Sequence, residues 1–148
     1  MIKENIIATG RLQMVLTGPD GKIKADKTVN NLVVTTGKEF IASRMINDQG
    51  STPIMSHMAL GTDNTVAVVG QSTLSTETGS RVALADAVSD AEVTYTATFG
   101  PGVSTGAIVE AAIFNAASGG TMACRTVFSV VNKGSDDSLA ITWKITIT

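Results

Sequence analysis

The alternation of apolar and polar positions is cleanest at the carboxy-terminal end of the chain. Over residues 139–148, Leu139, Ile141, Trp143, Ile145 and Ile147 fall on one side, and Ala140, Thr142, Lys144, Thr146 and Thr148 on the other. A period of two with one apolar side predicts a strand buried on one face. Residues 90–99 repeat it, with Val93, Tyr95, Ala97 and Phe99 inward and Thr94, Thr96 and Thr98 outward. Gly100-Pro101-Gly102 stops that strand, because proline has no amide to give a ladder and glycine tolerates turn dihedrals. Residues 6–16 and 22–34 flank Gly18-Pro19-Asp20-Gly21, a tight turn between antiparallel strands. Residues 122–131 form a further strand, turned into the last one by Lys133-Gly134-Ser135-Asp136-Asp137. Residues 55–60 run up to a loop-forming cluster, Gly61-Thr62-Asp63-Asn64-Thr65. Residues 106–114 are apolar throughout except for Glu110, a pattern that suits a buried strand or a short helix. Glycine-rich turns on both sides favour the strand.

One helix is expected at about residues 37–47. Thr36-Gly37-Lys38-Glu39 matches the capping box, in which a threonine hydroxyl and a glutamate three positions on satisfy each other's free amides. Phe40, Ile41, Met45 and Ile46 supply its buried stripe, and Asn47-Asp48-Gln49-Gly50 ends it. Residues 66–81 are rich in Ser, Thr and Gly without periodicity and read as a long loop, the kind that serves as a contact element. Seven or eight short strands with frequent turns define the fold class as mainly β. The expected architecture is an antiparallel β-sandwich or jelly-roll-like single domain, or a barrel, over residues 1–148, with residues 1–8 as an amino-terminal arm.

Composition sharpens this in two ways. At 148 residues and 15.3 kDa the chain fits one domain and buries roughly 68–70% of its unfolded surface without staples. Charged residues make up only 16% of it, against about 25% in ordinary soluble domains, so part of the surface is expected to be hidden against partners. Eleven basic and thirteen acidic residues leave a net charge of −2 with no basic patch, which argues against nucleic acid as a partner. No apolar stretch reaches the length of a signal peptide or of a membrane span. The expected product is soluble and kept in the cytoplasm of its producing cell. A single cysteine, Cys124, rules out an intrachain disulfide and reads as a small core residue.

The search for chemistry returns little. His57 is the one histidine, so no His/Cys cluster can build a zinc site. No Gly-x-Ser-x-Gly elbow, phosphate-binding loop or dinucleotide fingerprint occurs. Asp20, Asp48, Asp63 and Asp136 lie in turns, where carboxylates cap backbone amides. Aromatics are too few for a stacking platform, and Trp143, Met55, Met58 and Met122 read as core, the methionines with a lesser claim as adaptable contact surface. Glu110 stands apart, because an unpaired charge within an apolar run is costly to bury. Arg125, in the next apolar strand, is its natural partner, inside the subunit or across a subunit interface. The chain is accordingly read as no enzyme, with no catalytic residues, no cofactor, no metal and no small-molecule substrate.

Several segments, in order, resemble small virion structural proteins of tailed bacteriophages. Asn31-Leu32-Val33-Val34-Thr35-Thr36-Gly37-Lys38-Glu39-Phe40-Ile41-Ala42 is similar to their early strand-to-helix segment. His57-Met58-Ala59-Leu60-Gly61-Thr62-Asp63-Asn64-Thr65 resembles their strand and Gly-Thr loop. Val109-Glu110-Ala111-Ala112-Ile113-Phe114-Asn115, Gly119-Gly120-Thr121-Met122-Ala123-Cys124-Arg125-Thr126-Val127-Phe128 and the closing Leu139-Ala140-Ile141-Thr142-Trp143-Lys144-Ile145-Thr146 follow suit. The resemblance implies a capsid decoration (cement) protein, a homotrimer bound to the major capsid protein on the virion exterior. A tail, collar or fibre-attachment component is the alternative within the class, and a receptor- or carbohydrate-binding module the alternative outside it. On this reading Ile2, Ile6 and Ile7 anchor the amino-terminal strand to a neighbour or to the capsid, and Glu110 and Arg125 complete the expected interface residues.

Overall fold

The computed structural model of the protein describes residues 2–46 and 52–148. The turn at Gly18–Gly21 forms as its composition requires. The Gly21 amide donates to the Gly18 carbonyl at 3.0 Å, Asp20 Oδ1 accepts from the Lys22 amide at 3.0 Å, and Gly21 takes φ of 79°. It joins β1 (Ala8–Thr17) to β2 (Ile23–Val33). The chain continues through α1 (Thr35–Ser43), β3 (His57–Gly61), β4 (Glu77–Ala83), β5 (Ala85–Ser89) and β6 (Glu92–Phe99). It ends with β7 (Gly106–Phe114), β8 (Met122–Lys133) and β9 (Ser138–Ile147).

Among the described residues, nine strands join one sheet in the order β4-β3-β7-β8-β2-β1-β9-β6-β5, and every pairing is antiparallel. The two outermost strands, β4 and β5, are consecutive in the chain and separated by Leu84 alone. One continuous stretch therefore leaves one end of the sheet and enters the other, and the sheet is nearly closed into a barrel. The mainly β, antiparallel class is the one the alternation predicts.

The interior is filled from both sides. In β1 and β9 the inward rows are in register: Leu12 opposes Trp143, Met14 opposes Ile141 and Leu16 opposes Leu139. Phe99 and Ala97 of β6 continue those rows, and Ile108, Ala111 and Ile113 of β7 face them. Trp143 is fully buried, and its indole Nε1 donates to Asn31 Oδ1 at 2.9 Å. Gly10 sits opposite both Asn31 and Ile145 in the register, and a Cβ there would lie 1.7 Å from that oxygen. Glycine is what lets the asparagine reach the tryptophan.

Three sequence expectations are corrected. The helix begins at Thr35, two residues early, and no capping box forms. Thr36 lies inside the first turn and its hydroxyl donates to the Met122 carbonyl at 2.6 Å, while the Thr35 amide finds the Val69 carbonyl at 2.8 Å. The Thr35 amide is thus met by a tertiary partner, and the Thr36 hydroxyl that a capping box would use is committed to β8. Phe40 packs against the core, but Met45 and Ile46 follow the helix and are 83% and 68% exposed. The proposed stop at Asn47-Asp48-Gln49-Gly50 lies outside the described residues. Finally, the loop over 66–81 is shorter than expected, because β4 takes up Glu77–Ala83, and β5 was not anticipated. β4 hides from a periodicity reading: Gly79 has φ of 66° and the register with β3 shifts between Met58 and Leu60.

Candidate functional site

The most elaborate polar arrangement lies on the outer face of β3, β7 and β8. Glu110 of β7 and Arg125 of β8 are both completely buried. Arg125 Nη2 and Nε donate to Glu110 Oε2 at 2.8 and 3.0 Å. The guanidinium also donates to the Thr65 carbonyl at 2.8 Å, to Gln71 Oε1 at 3.1 Å and to the Asp63 carbonyl at 3.4 Å. Glu110 Oε1 in turn accepts from the Asp63 amide at 3.2 Å. The pair therefore lies within the subunit, and having no exposed area it offers nothing directly to a neighbour. What it does is hold the segment between β3 and β4 down on the sheet.

That segment brings its own apolar contact. Leu74 packs with Val34, Ala59, Ala112, Phe114 and Met122, a second cluster on the opposite face of the sheet from the main core. Gly61 makes room for the ion pair, since a Cβ there would lie 2.3 Å from Glu110 Oε1. Asp63 accepts from the Thr65 hydroxyl at 2.7 Å and from the Thr65 amide at 2.9 Å. These bonds, with one from Ser75, hold the Asp63 carboxyl down at about 2. Beyond this stitched base the segment presents Val66, Val68 and Val69 to solvent.

A second surface gathers the amino-terminal residues and the end of α1. Ile2, Ile6 and Ile7 are 94%, 75% and 53% exposed. Ile7 is tied to the last residue by two backbone bonds, its amide to the Thr148 carbonyl at 2.6 Å and the Thr148 amide to its carbonyl at 2.8 Å. The free arm is accordingly shorter than residues 1–8, since Ile7 and Ala8 already belong to the β1–β9 ladder. Ile6, Ile7, Ile41, Ala42, Met45 and Ile147 line a shallow apolar groove, with Lys38 at its margin.

The remaining singled-out residues are structural in their surroundings. His57 Nδ1 shares a 2.8 Å hydrogen bond with the Ser56 hydroxyl. Cys124 is fully buried, and burial pushes its thiol well up from the ordinary range. Met55, Met58 and Met122 are buried and offer no contact surface. The cap of the last turn is Asp137 and not Asp136: it accepts from the Gly134 amide at 2.8 Å and from Lys24 Nζ at 2.9 Å. Those donors, Lys24 first, hold its carboxyl below the usual range. Asp48 lies outside the described residues. Among the described residues, no group of three or more His, Cys, Asp and Glu could hold a metal, and no helix is long and apolar enough to cross a membrane.

Sequence reading missed two basic side chains of consequence. Arg81 binds Glu77 bidentately at 2.8 and 3.0 Å, donates to the Ala116 and Gly119 carbonyls at 2.9 and 2.8 Å, and lies 3.6 Å above the Phe114 ring. It clamps the β7–β8 turn onto β4. Lys133 is buried with its Nζ on the Gly100 carbonyl at 2.8 Å, and desolvation pulls its ammonium down. Gly119-Gly120 marked the turn, but nothing local indicated which cation would reach it.

Fold and site together define a mainly antiparallel β protein, nearly closed into a barrel, whose organised polar groups serve to fasten loops. No protein-family model, curated protein or solved structure matches the chain.

Proposed function

We propose that this chain is a non-catalytic virion structural protein of a tailed bacteriophage, one that binds the outside of the capsid and stabilises it as a decoration protein. The observation that carries the reading is the apolar surface at the amino terminus. Ile2, Ile6, Met45 and Ile46 are all more than two-thirds exposed, and Ile6 and Met45 line the same groove. Apolar side chains gathered like this on a chain with few charges mark a surface meant to be covered. A rigid, well-filled barrel with fastened loops suits a shell-stiffening role, because many modest contacts made at once hold firmly without any single strong one.

The first test is native mass by light scattering, followed by mixing with undecorated capsids. A trimer that binds capsids and protects them from thermal rupture is the expected result. Hexamers or filaments would move the assignment to the tail, and a monomer that binds neither capsid nor tail would overturn it. Removing residues 1–6 leaves Ile7 on Thr148 and so preserves the barrel. This truncation is expected to stay folded and to lose capsid binding at least tenfold; normal decoration by it would remove the arm from the interface.

A further inference from the structure

One cleft on the barrel wall carries more positive charge than its own strands neutralise. In the β1–β9 ladder Arg11 stands directly opposite Lys144. Like charges so placed repel and weaken a sheet unless a counter-charge lies nearby. Glu92 of β6 is the acid that lines the cleft, and both its oxygens are committed. Its Oε1 lies 3.0 Å from Lys144 Nζ, and its Oε2 accepts from the Thr146 hydroxyl at 3.2 Å. Lys38 of α1 lines the same cleft, and among the described residues no acid pairs with it or with Arg11. Three cations against one acid leave two positive charges in excess, on a chain whose net charge is −2. The cleft has a volume of about 560 Å³, a size that suits a small ligand.

Its wall also holds an unused donor. Asn31 lines the cleft, and its Oδ1 takes the Trp143 indole hydrogen at 2.9 Å. Asn31 Nδ2 is buried without a hydrogen-bond partner, the one such side-chain atom among the described residues. An unpaired buried donor is costly, so a fold that keeps one has a reason, such as an acceptor that arrives from outside. Gly10, opposite Asn31, lines the cleft too, and a Cβ there would lie 2.7 Å from Nδ2. Glycine is what lets the amide sit at this wall.

We infer that the cleft binds a phosphate group, free or carried by a small organic molecule. Arg11 and Lys144 are its principal cations, Lys38 adds a third, and the Asn31 amide is a neutral donor. Two positive charges in excess match a phosphate group, which is close to doubly charged at neutral pH. A guanidinium offers its oxygens a planar fork of donors. The ligand supplies the counter-charge that the Arg11–Lys144 pair lacks. Its cations come from β1, α1 and β9, and only the folded chain brings them together. The inference does not require the capsid reading.

Calorimetric titration at low and constant ionic strength, with chloride as the balancing anion, tests it. Inorganic phosphate is expected to bind saturably at roughly millimolar concentration. Arg11→Gln is expected to weaken that binding about tenfold or more, and Arg11→Lys to recover part of the loss. Lys22→Gln removes a cation outside the cleft, just after the β1–β2 turn, and should leave binding as it was. Both positions are exposed, so these variants are expected to stay folded. In a nitrogen–proton correlation spectrum, phosphate should move the Asn31 side-chain amide more than that of any other asparagine. Tighter binding of glycerol phosphate than of inorganic phosphate would assign the site to an organic phosphate, and equal affinity to the free ion; either upholds a phosphate site. The absence of saturable binding, an equal loss in Lys22→Gln, or succinate binding as tightly as phosphate would overturn the inference.

Discussion

Strands β7 and β9 are of similar length, yet one is covered on both faces and the other on one. In β7, Ile108, Ala111 and Ile113 face the main core while Ala112 and Phe114 face the second cluster, with Glu110 beneath the loop that Arg125 holds. In β9, Leu139, Ile141, Trp143 and Ile145 are buried and Ala140, Thr142, Lys144 and Thr146 are not. The same antiparallel ladder therefore carries a nearly unbroken apolar run in one place and strict alternation in the other. Periodicity reports the number of buried faces, and a strand buried twice gives it nothing to report. The extra face also has a different energetic character, since its cover is fastened by a buried ion pair as well as by packing.

The doubly covered face is most vulnerable at Arg125. Arg125→Met strands Glu110 without a partner in a dry site and is expected to cost about 3–5 kcal/mol in urea unfolding. The double variant Arg125→Met/Glu110→Leu should recover most of that, because apolar replacement of a buried pair is often neutral. Amide exchange over residues 62–76 should nonetheless quicken in the double variant, because the carbonyls of Asp63 and Thr65 lose their donor. A loss below about 1 kcal/mol in the single variant would mean the cover stays on by packing alone.

Gly37→Ala tests the other attachment to β8. A Cβ at residue 37 would lie 1.9 Å from the Ala123 carbonyl oxygen, a backbone atom that cannot swing aside. The expected cost is roughly 1–3 kcal/mol, with α1 displaced. Unchanged thermal unfolding would show that the helix tolerates a wider seat.

Acid probes the loop more gently. The Asp63 carboxyl is held at about 2 against an ordinary 3.8, so the unfolded chain binds this proton more tightly than the folded one. The stability it contributes is complete above about pH 4 and is lost as pH falls towards 2. Asp63→Asn should flatten the melting temperature between those limits and leave its pH dependence above them unaltered. At the small end, Thr96→Ala on the open face of β6 should change stability by no more than about 0.5 kcal/mol. A larger loss there would mean that this face, too, is covered.

Much of the fold was legible. The turn at Gly18–Gly21 and the alternating strands β6 and β9 follow from local rules, and so did the charge logic that joined Glu110 to Arg125. The pair was readable because a lone carboxylate in an apolar run demands a cation, and one stood in the next strand. Its purpose was not readable, because the carbonyls of Asp63 and Thr65 reach it from some sixty residues away in the chain. β5 left no trace because Ala-Asp-Ala-Val-Ser buries no face and so carries no apolar row.

The sequence by itself determined the elements whose signals are local: period-two rows, glycine turns, and a carboxylate that could not be left alone. Tertiary structure alone decided the strand order, the near closure of the sheet through Leu84 and the second covered face. Each of those depends on which distant backbone completes a ladder or lies over a face. Alternation specifies that a strand has an inside, and carries no information about which neighbour it pairs with or what covers its other side.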